Sequence, residues 1–344
     1  MCATDADARY LTACVTFDML PDDVLLDIFD FYRIGSIFYP WTWVTLAHVC
    51  SRWRQVIFAS PRRLDLQFLC TPRTRVRELL DLLPPAMPIM ISNSSDLPTP
   101  HTTLRLEDGS QVIAAIEQRD RVWWINLQDL PSALLEKLAT MMQETFPTLK
   151  YLRLSAADER FDAPQAAAAP VLSEGFLGGS AASLESFMLK GIPFPELSKL
   201  LPSMNNLVDL TLERIPDSGY IPPEAMIAAL STCTKLEMLV IEFLSEDLQP
   251  DAGPDPTSQE STGALIARIS LPALSCFNFD GNGSYFDNFV PRIESPLLAR
   301  DSNPFWQHDT SVIRHVHYEA SFTQTRFSSR YFSRPLIIPI LEDE

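Results

Sequence analysis

The chain has 344 residues, room for one small and one large folded unit, and carries a formal net charge of −17 from 27 Lys plus Arg against 44 Asp plus Glu. A hydrophobic fraction of 46% with 21% charged residues is the balance of a folded protein and argues against global disorder. Residues 1–90 are close to charge balance, so nearly all of the acidic excess falls on the later part. That excess disfavours nucleic acid, whose phosphates need a basic face, and is compatible with a basic protein partner. Apolar runs stop well short of the ~18 residues of a spanning helix. Asp5 and Asp7 stand where a signal peptide would be basic, so the expected location is cytoplasmic or nuclear, with no membrane partner. Cys2, Cys14, Cys50, Cys70, Cys233 and Cys276 form no Cys-x-x-Cys pair, which points to reduced thiols rather than a zinc site or a disulfide framework.

After an N-terminal extension over 1–17, residues 18–64 read as a compact helical plug. Pro21 suits a first helical position, and Asp22 and Asp23 follow in the first turn, where negative charge complements the helix dipole. Val24, Leu25, Ile28, Phe29 and Tyr32 then recur at steps of three and four and draw one apolar stripe. Gly35 and Pro40 bracket a loop, Trp43 to Val49 form a second short apolar run, and Ser51 is the expected cap of a third helix that carries Trp53, Val56 and Ile57. Three short helices cannot bury this much apolar surface among themselves, so a patch is left for a partner.

The ordered set Leu20-Pro21-Asp22-Asp23, Val24-Leu25-Leu26-Asp27-Ile28-Phe29 and Val49-Cys50-Ser51-Arg52-Trp53 resembles the F-box. The continuation Ser60-Pro61-Arg62-Arg63-Leu64 is similar to a large fungal group of F-box proteins with a leucine-rich C-terminal part. The resemblance implies docking on the Skp-type adaptor of a cullin-based ubiquitin ligase. Leu20, Pro21, Leu25, Ile28, Phe29, Val49, Cys50 and Trp53 would carry that contact or the packing behind it. The loop from Arg33 to Trp43 is longer and more aromatic than the minimal pattern.

Residues 65–120 read as a connecting region, broken by prolines, with one helix within 73–83 and a short strand at Ile89–Ile91. From 121 to 300 a Leu-x-x-Leu-x-Leu landmark recurs. It starts at Val122, Leu149, Leu184, Leu207, Leu236 and Leu274, at spacings of 27, 35, 23, 29 and 38 residues. Leucine-rich repeats run at roughly 20–29 residues, so two spacings require insertions, expected at 156–170 and in the acidic, Pro-rich segment 245–260. Helices are expected at 132–142 and 223–230. Pro296-Leu297-Leu298 begins like another rib, but Asp301 and Asn303 break it, and 301–344 reads as an irregular tail: a poorly ordered appendage or the product of an altered reading frame. Its apolar residues, such as Phe322 and Ile337, are candidates to cover the last rib.

No catalytic constellation is legible. There is no Gly-x-Ser-x-Gly elbow or phosphate-binding loop, and His315-Val316-His317 lacks a third ligand, so no enzyme activity, cofactor or metal is expected. Recognition remains. The positions between the inward leucines of each strand face the other side of the sheet, and they include Trp124, Asn126, Tyr151, Arg153, Ser186, Met188, Asp209, Thr211, Met238, Val240, Cys276 and Asn278. Of these, Trp124, Tyr151, Arg153, Met188, Asp209, Met238 and Asn278 are the candidate substrate-binding residues of a concave face, with Lys190, Glu213, Glu242 and Asp280 adding charge. The expected fold is thus α+β, a three-helix F-box followed by an irregular leucine-rich-repeat solenoid of horseshoe type. The expected role is the substrate-recognition subunit of an SCF-type ubiquitin ligase. The alternative is a leucine-rich interaction scaffold with an inert F-box.

Overall fold

The computed structural model describes residues 20–35, 42–61, 63–64, 66–93, 109–157, 170–245 and 268–298. The N-terminal extension, the loop expected between Gly35 and Pro40, most of the acidic segment 245–260, the tail from 301 and the histidine pair at 315 and 317 lie outside the described residues.

Three helices open the chain: α1 (Asp22–Gly35), α2 (Thr42–Val49) and α3 (Ser51–Ala59). The cap of α3 is Cys50 and not Ser51: Cys50 has extended backbone angles, while Ser51 is already helical, and the Cys50 Sγ accepts the Trp53 amide at 3.4 Å. On α1 the apolar stripe divides. Leu25, Leu26 and Phe29 turn inward and are buried, whereas Val24, Ile28, Phe31 and Tyr32 stay exposed.

An eight-stranded parallel sheet follows. Its strands are β1 (Phe68–Cys70), β2 (Ile89–Ser92), β3 (Val122–Leu130), β4 (Tyr151–Ala156), β5 (Ser186–Lys190), β6 (Asp209–Ile215), β7 (Met238–Phe243) and β9 (Cys276–Asp280), each paired with the next. Between β7 and β9 lies β8 (Ile269–Ser270), which pairs parallel with β10 (Ile293–Glu294) in a two-stranded ribbon. The connections carry α4 (Val76–Leu80), α5 (Ser110–Ile116), α6 (Ser132–Met141), α7 (Leu197–Leu200), α8 (Pro223–Leu230) and α9 (Gly283–Phe289). The stretch 65–120, read from sequence as a connection, thus supplies the first two strands of the sheet. β1 and β2 are buried throughout, so they lack the alternation that advertises a half-exposed strand.

One unit repeats along the sheet. Before each of β4, β5, β6, β7 and β9 a turn is closed by the amide of Leu149, Leu184, Leu207, Leu236 or Leu274 donating to the carbonyl three residues back, at 3.0–3.2 Å. The residues three back are Phe146, Ala181, Met204, Cys233 and Leu271, all buried, so each turn is pinned at both ends by apolar packing. The next amide donates to its counterpart in the preceding unit: Lys150 to Trp123, Glu185 to Lys150, Val208 to Glu185, Glu237 to Val208, and Ser275 to Glu237, at 2.8–2.9 Å. The following inward residues, such as Leu152 and Leu154 or Leu210 and Leu212, complete one continuous core that also takes in Leu25, Phe29 and Ile57 of the helices. Two residues past the last inward leucine the backbone turns left-handed in β3 (Asp129, φ 52°), after β5 (Gly191, φ 66°) and in β6 (Arg214, φ 53°). The strand register shifts at the first and third of these, which returns Leu130 and Ile215 to the core.

Candidate functional site

Two faces carry the residues singled out from the sequence. The first is the helical segment. The Arg52 guanidinium donates to the Leu20 carbonyl and meets the Asp22 carboxylate at 2.8 Å, tying the start of α1 to α3. Arg63 pairs with Asp27, and Arg54 Nε donates to the Ala47 carbonyl at 3.1 Å. Phe29 packs on Trp53 with ring centroids 4.8 Å apart. Leu25 and Phe29 are therefore inside the module, with Leu20 and Trp53 half-buried against its core and Cys50 capping α3. Pro21, Ile28 and Val49 are the named residues that reach solvent. Phe31, which sequence reasoning did not single out, is 80% exposed, and Val49 is 59% exposed. The signal for Phe31 was present: Val24, Ile28 and Phe31 follow at steps of four and three on the face beside that of Leu25 and Phe29.

The second is the face of the sheet opposite the main core. Strand register sets Leu69, Met90, Trp124, Tyr151, Ser186, Asp209, Met238 and Cys276 side by side in one row. Ser92, Asn126, Arg153, Met188, Thr211, Val240 and Asn278 form the row beside it. All the candidate residues of this face therefore share it, and Leu69 and Met90 extend the row into β1, which the sequence reading left out, and β2, which it read as a short strand outside the repeat.

The rows change character along their length. At the start, Trp124 and Tyr151 stack at 3.7 Å with planes 7° apart, and with Leu69 and Met90 they form an apolar cluster separate from the main core, with Trp123 against it. In the middle, Asp209 is buried and accepts hydrogen bonds from Ser186 Oγ at 3.1 Å and Thr211 Oγ1 at 3.0 Å. Burial pushes its carboxyl up to about 6, against the opposing pull of those two hydroxyls and of the nearby Arg153. Arg153 is half-buried, and its Nε has no hydrogen-bond partner among the described residues. Toward the far end, Lys190 pairs with Glu213 at 2.8 Å, while burial and the neighbouring Glu213 raise the Glu242 carboxyl. The face thus runs from an aromatic platform to a carboxylate-rich end.

Among the described residues no group of His, Cys, Asp and Glu is placed to hold a metal, and no helix is long and apolar enough to cross a membrane. Burial raises the thiols of Cys70, Cys233 and Cys276, which keeps them protonated and poorly nucleophilic.

No curated protein matches the chain. A family model described as F-box-like matches residues 17–65, the helical segment together with the residues that lead into β1. F-box domains in general bind Skp-type adaptors within cullin complexes and serve as non-catalytic substrate adaptors, so the matched segment points to an adaptor role of that kind.

Proposed function

We propose that this protein is a substrate-recognition subunit of an SCF-type ubiquitin ligase: the exposed apolar face of α1, with Val49, docks on a Skp-type adaptor, and the face of the sheet opposite the main core holds a target protein. The observation that carries the reading is the F-box-like match falling on a helical module that leaves Ile28, Phe31 and Val49 in water. Large exposed apolar groups on one helix face are the mark of a docking surface. We read the sheet as a leucine-rich-repeat-type solenoid. Sequential parallel pairing, the recurring turn and the buried leucine at the start of each unit support that reading.

In this reading no residue does bond chemistry. The chain acts by proximity: one end is bound to the ligase, the other to the target, and the effective concentration of a target lysine near the charged conjugating enzyme rises. The test uses the full chain with a purified Skp-type adaptor, beside the double variant Phe31→Asp and Val49→Asp. Both positions are exposed, so the variant stays folded, and its affinity falls more than about thirtyfold. A folded wild type that fails to bind, or a variant that binds equally well, ends the adaptor reading. Ubiquitin-dependent loss of a bound partner separates a ligase subunit from a scaffold.

A further inference from the structure

The two outer strands of the sheet end differently. β1 is buried throughout and shares one continuous core with the helices, whereas every residue of β9 is half-exposed. In β7 the inward residues Leu239 and Ile241 are fully buried, and their register partners in β9, Phe277 and Phe279, are not. Helix α9 covers one side of these rings: Phe277 lies 6.2 Å from Phe289 and Phe279 lies 5.4 Å from Phe286, between centroids. β9 pairs with β7 alone, so its outer edge has no ladder partner among the described residues. We propose that a later segment of the same chain, residues 316–322, adds to this edge as a further parallel strand and closes the core over Phe277 and Phe279.

Three observations lead there. First, the chain arrives at this edge, but the residues next in line are wrong for it. β10 pairs with β8 at an offset of 24 residues, Ile293 on Ile269 and Glu294 on Ser270. Ser295 Oγ then donates to the Leu274 carbonyl at 2.7 Å, and Leu298 packs against the core beside the start of β9. Carried forward, the same offset matches Asp301 to Phe277 and Asn303 to Phe279. Burying a carboxylate and an amide there without partners is unfavourable, and Pro304 brings no amide to a ladder. Second, residues 316–322 have the pattern that the edge requires. Val316, Tyr318, Ala320 and Phe322 alternate with His317, Glu319 and Ser321, the period of a strand with one buried face. The 17-residue connection 299–315 starts at the end of the sheet where a parallel strand begins, and closure entropy grows only with the logarithm of its length. Third, charge favours this occupant over a second copy. Asp280 at the edge lies beside Glu242, and two chains of net charge −17 would bring such carboxylates together. Residues 305–334 instead hold four arginines against two carboxylates, Asp309 and Glu319.

The inference depends neither on adaptor docking nor on the sheet face binding a target. Its test follows amide hydrogen exchange by mass spectrometry in the full chain. Residues 316–322 exchange about tenfold or more slowly than the same sequence as a free peptide, at a rate that does not change when the protein is diluted. Tyr318→Asp places a charge in the apolar row and speeds exchange by about tenfold or more in both 316–322 and β9, while β4 stays protected. If that variant releases β4 as well, Tyr318→Ala removes the ring without burying a charge, and the two segments then loosen together by about threefold with β4 unchanged. Free exchange over 316–322 overturns the proposal, as does release confined to one of the two segments or protection that Tyr318→Asp leaves intact. Protection that falls on dilution identifies a second copy as the occupant and overturns it too.

Discussion

The helical segment and the sheet carry their unusual residues in opposite senses. On α1 and α2 the apolar groups Ile28, Phe31 and Val49 stand in water, while on the sheet the polar groups Asp209, Asn126 and Ser186 are held out of it. An exposed apolar stripe costs the free protein little and gains burial when a partner covers it. A buried carboxyl is the reverse: it persists only because Ser186 and Thr211 bond it and Arg153 lies near it. The first pattern suits a dock with a fixed partner, the second a rigid surface whose chemistry is set before a target arrives.

The strongest way to break this comparison is inside the helical core. Phe29→Ala removes a ring that is 1% exposed and packed on Trp53, and should destabilise the chain by about 3–5 kcal/mol in denaturant unfolding. Phe31→Asp, two residues on, should shift stability by no more than about 0.5 kcal/mol while weakening the proposed adaptor binding. If both variants unfold the protein, α1 has no free face. On the sheet, the test is pH. The folded-state pKa of Asp209 is raised from 3.8 to about 6, so its contribution is fully present below about pH 4 and is lost as pH rises through 6. Ionisation there destabilises the fold by up to about 3 kcal/mol. Asp209→Asn removes that slope, so wild-type stability minus variant stability should fall between pH 4 and 6 and then level off. A flat difference would mean that the carboxyl is solvated.

Smaller effects sharpen the picture. Ser186→Ala leaves one Asp209 oxygen short of a donor and should cost about 1 kcal/mol while moving the pH step upward. Arg214→Gly relieves a left-handed residue, and should stabilise the chain by up to about 1 kcal/mol, since the strain removed exceeds the flexibility gained by the unfolded chain. Loss of stability there would show that the Arg214 side chain contributes more than its backbone strain takes away.

Much of this was legible beforehand, and the exceptions have physical reasons. The strands from Val122 onward were visible because three apolar residues at fixed spacing all point into one core, and α8 was visible because Pro223 starts it and its apolar residues are continuous. β1 and β2 were missed as members of the sheet because three or four buried residues between prolines carry no period. Phe31 was missed because a stripe containing Leu25, Ile28 and Phe29 is wide enough to be centred in more than one way.

The sequence by itself determined the helical plug, the repeating landmark and the set of side chains that alternate away from the core, since each follows from local period and from the pleat of a strand. Only the tertiary structure decided which half of the α1 stripe faces water, because that depends on where Trp53 of α3 lands on Phe29. It also decided that Trp124 stacks on Tyr151 and that Ser186 bonds Asp209: these residues lie 27 and 23 positions apart, and strand register alone makes them neighbours.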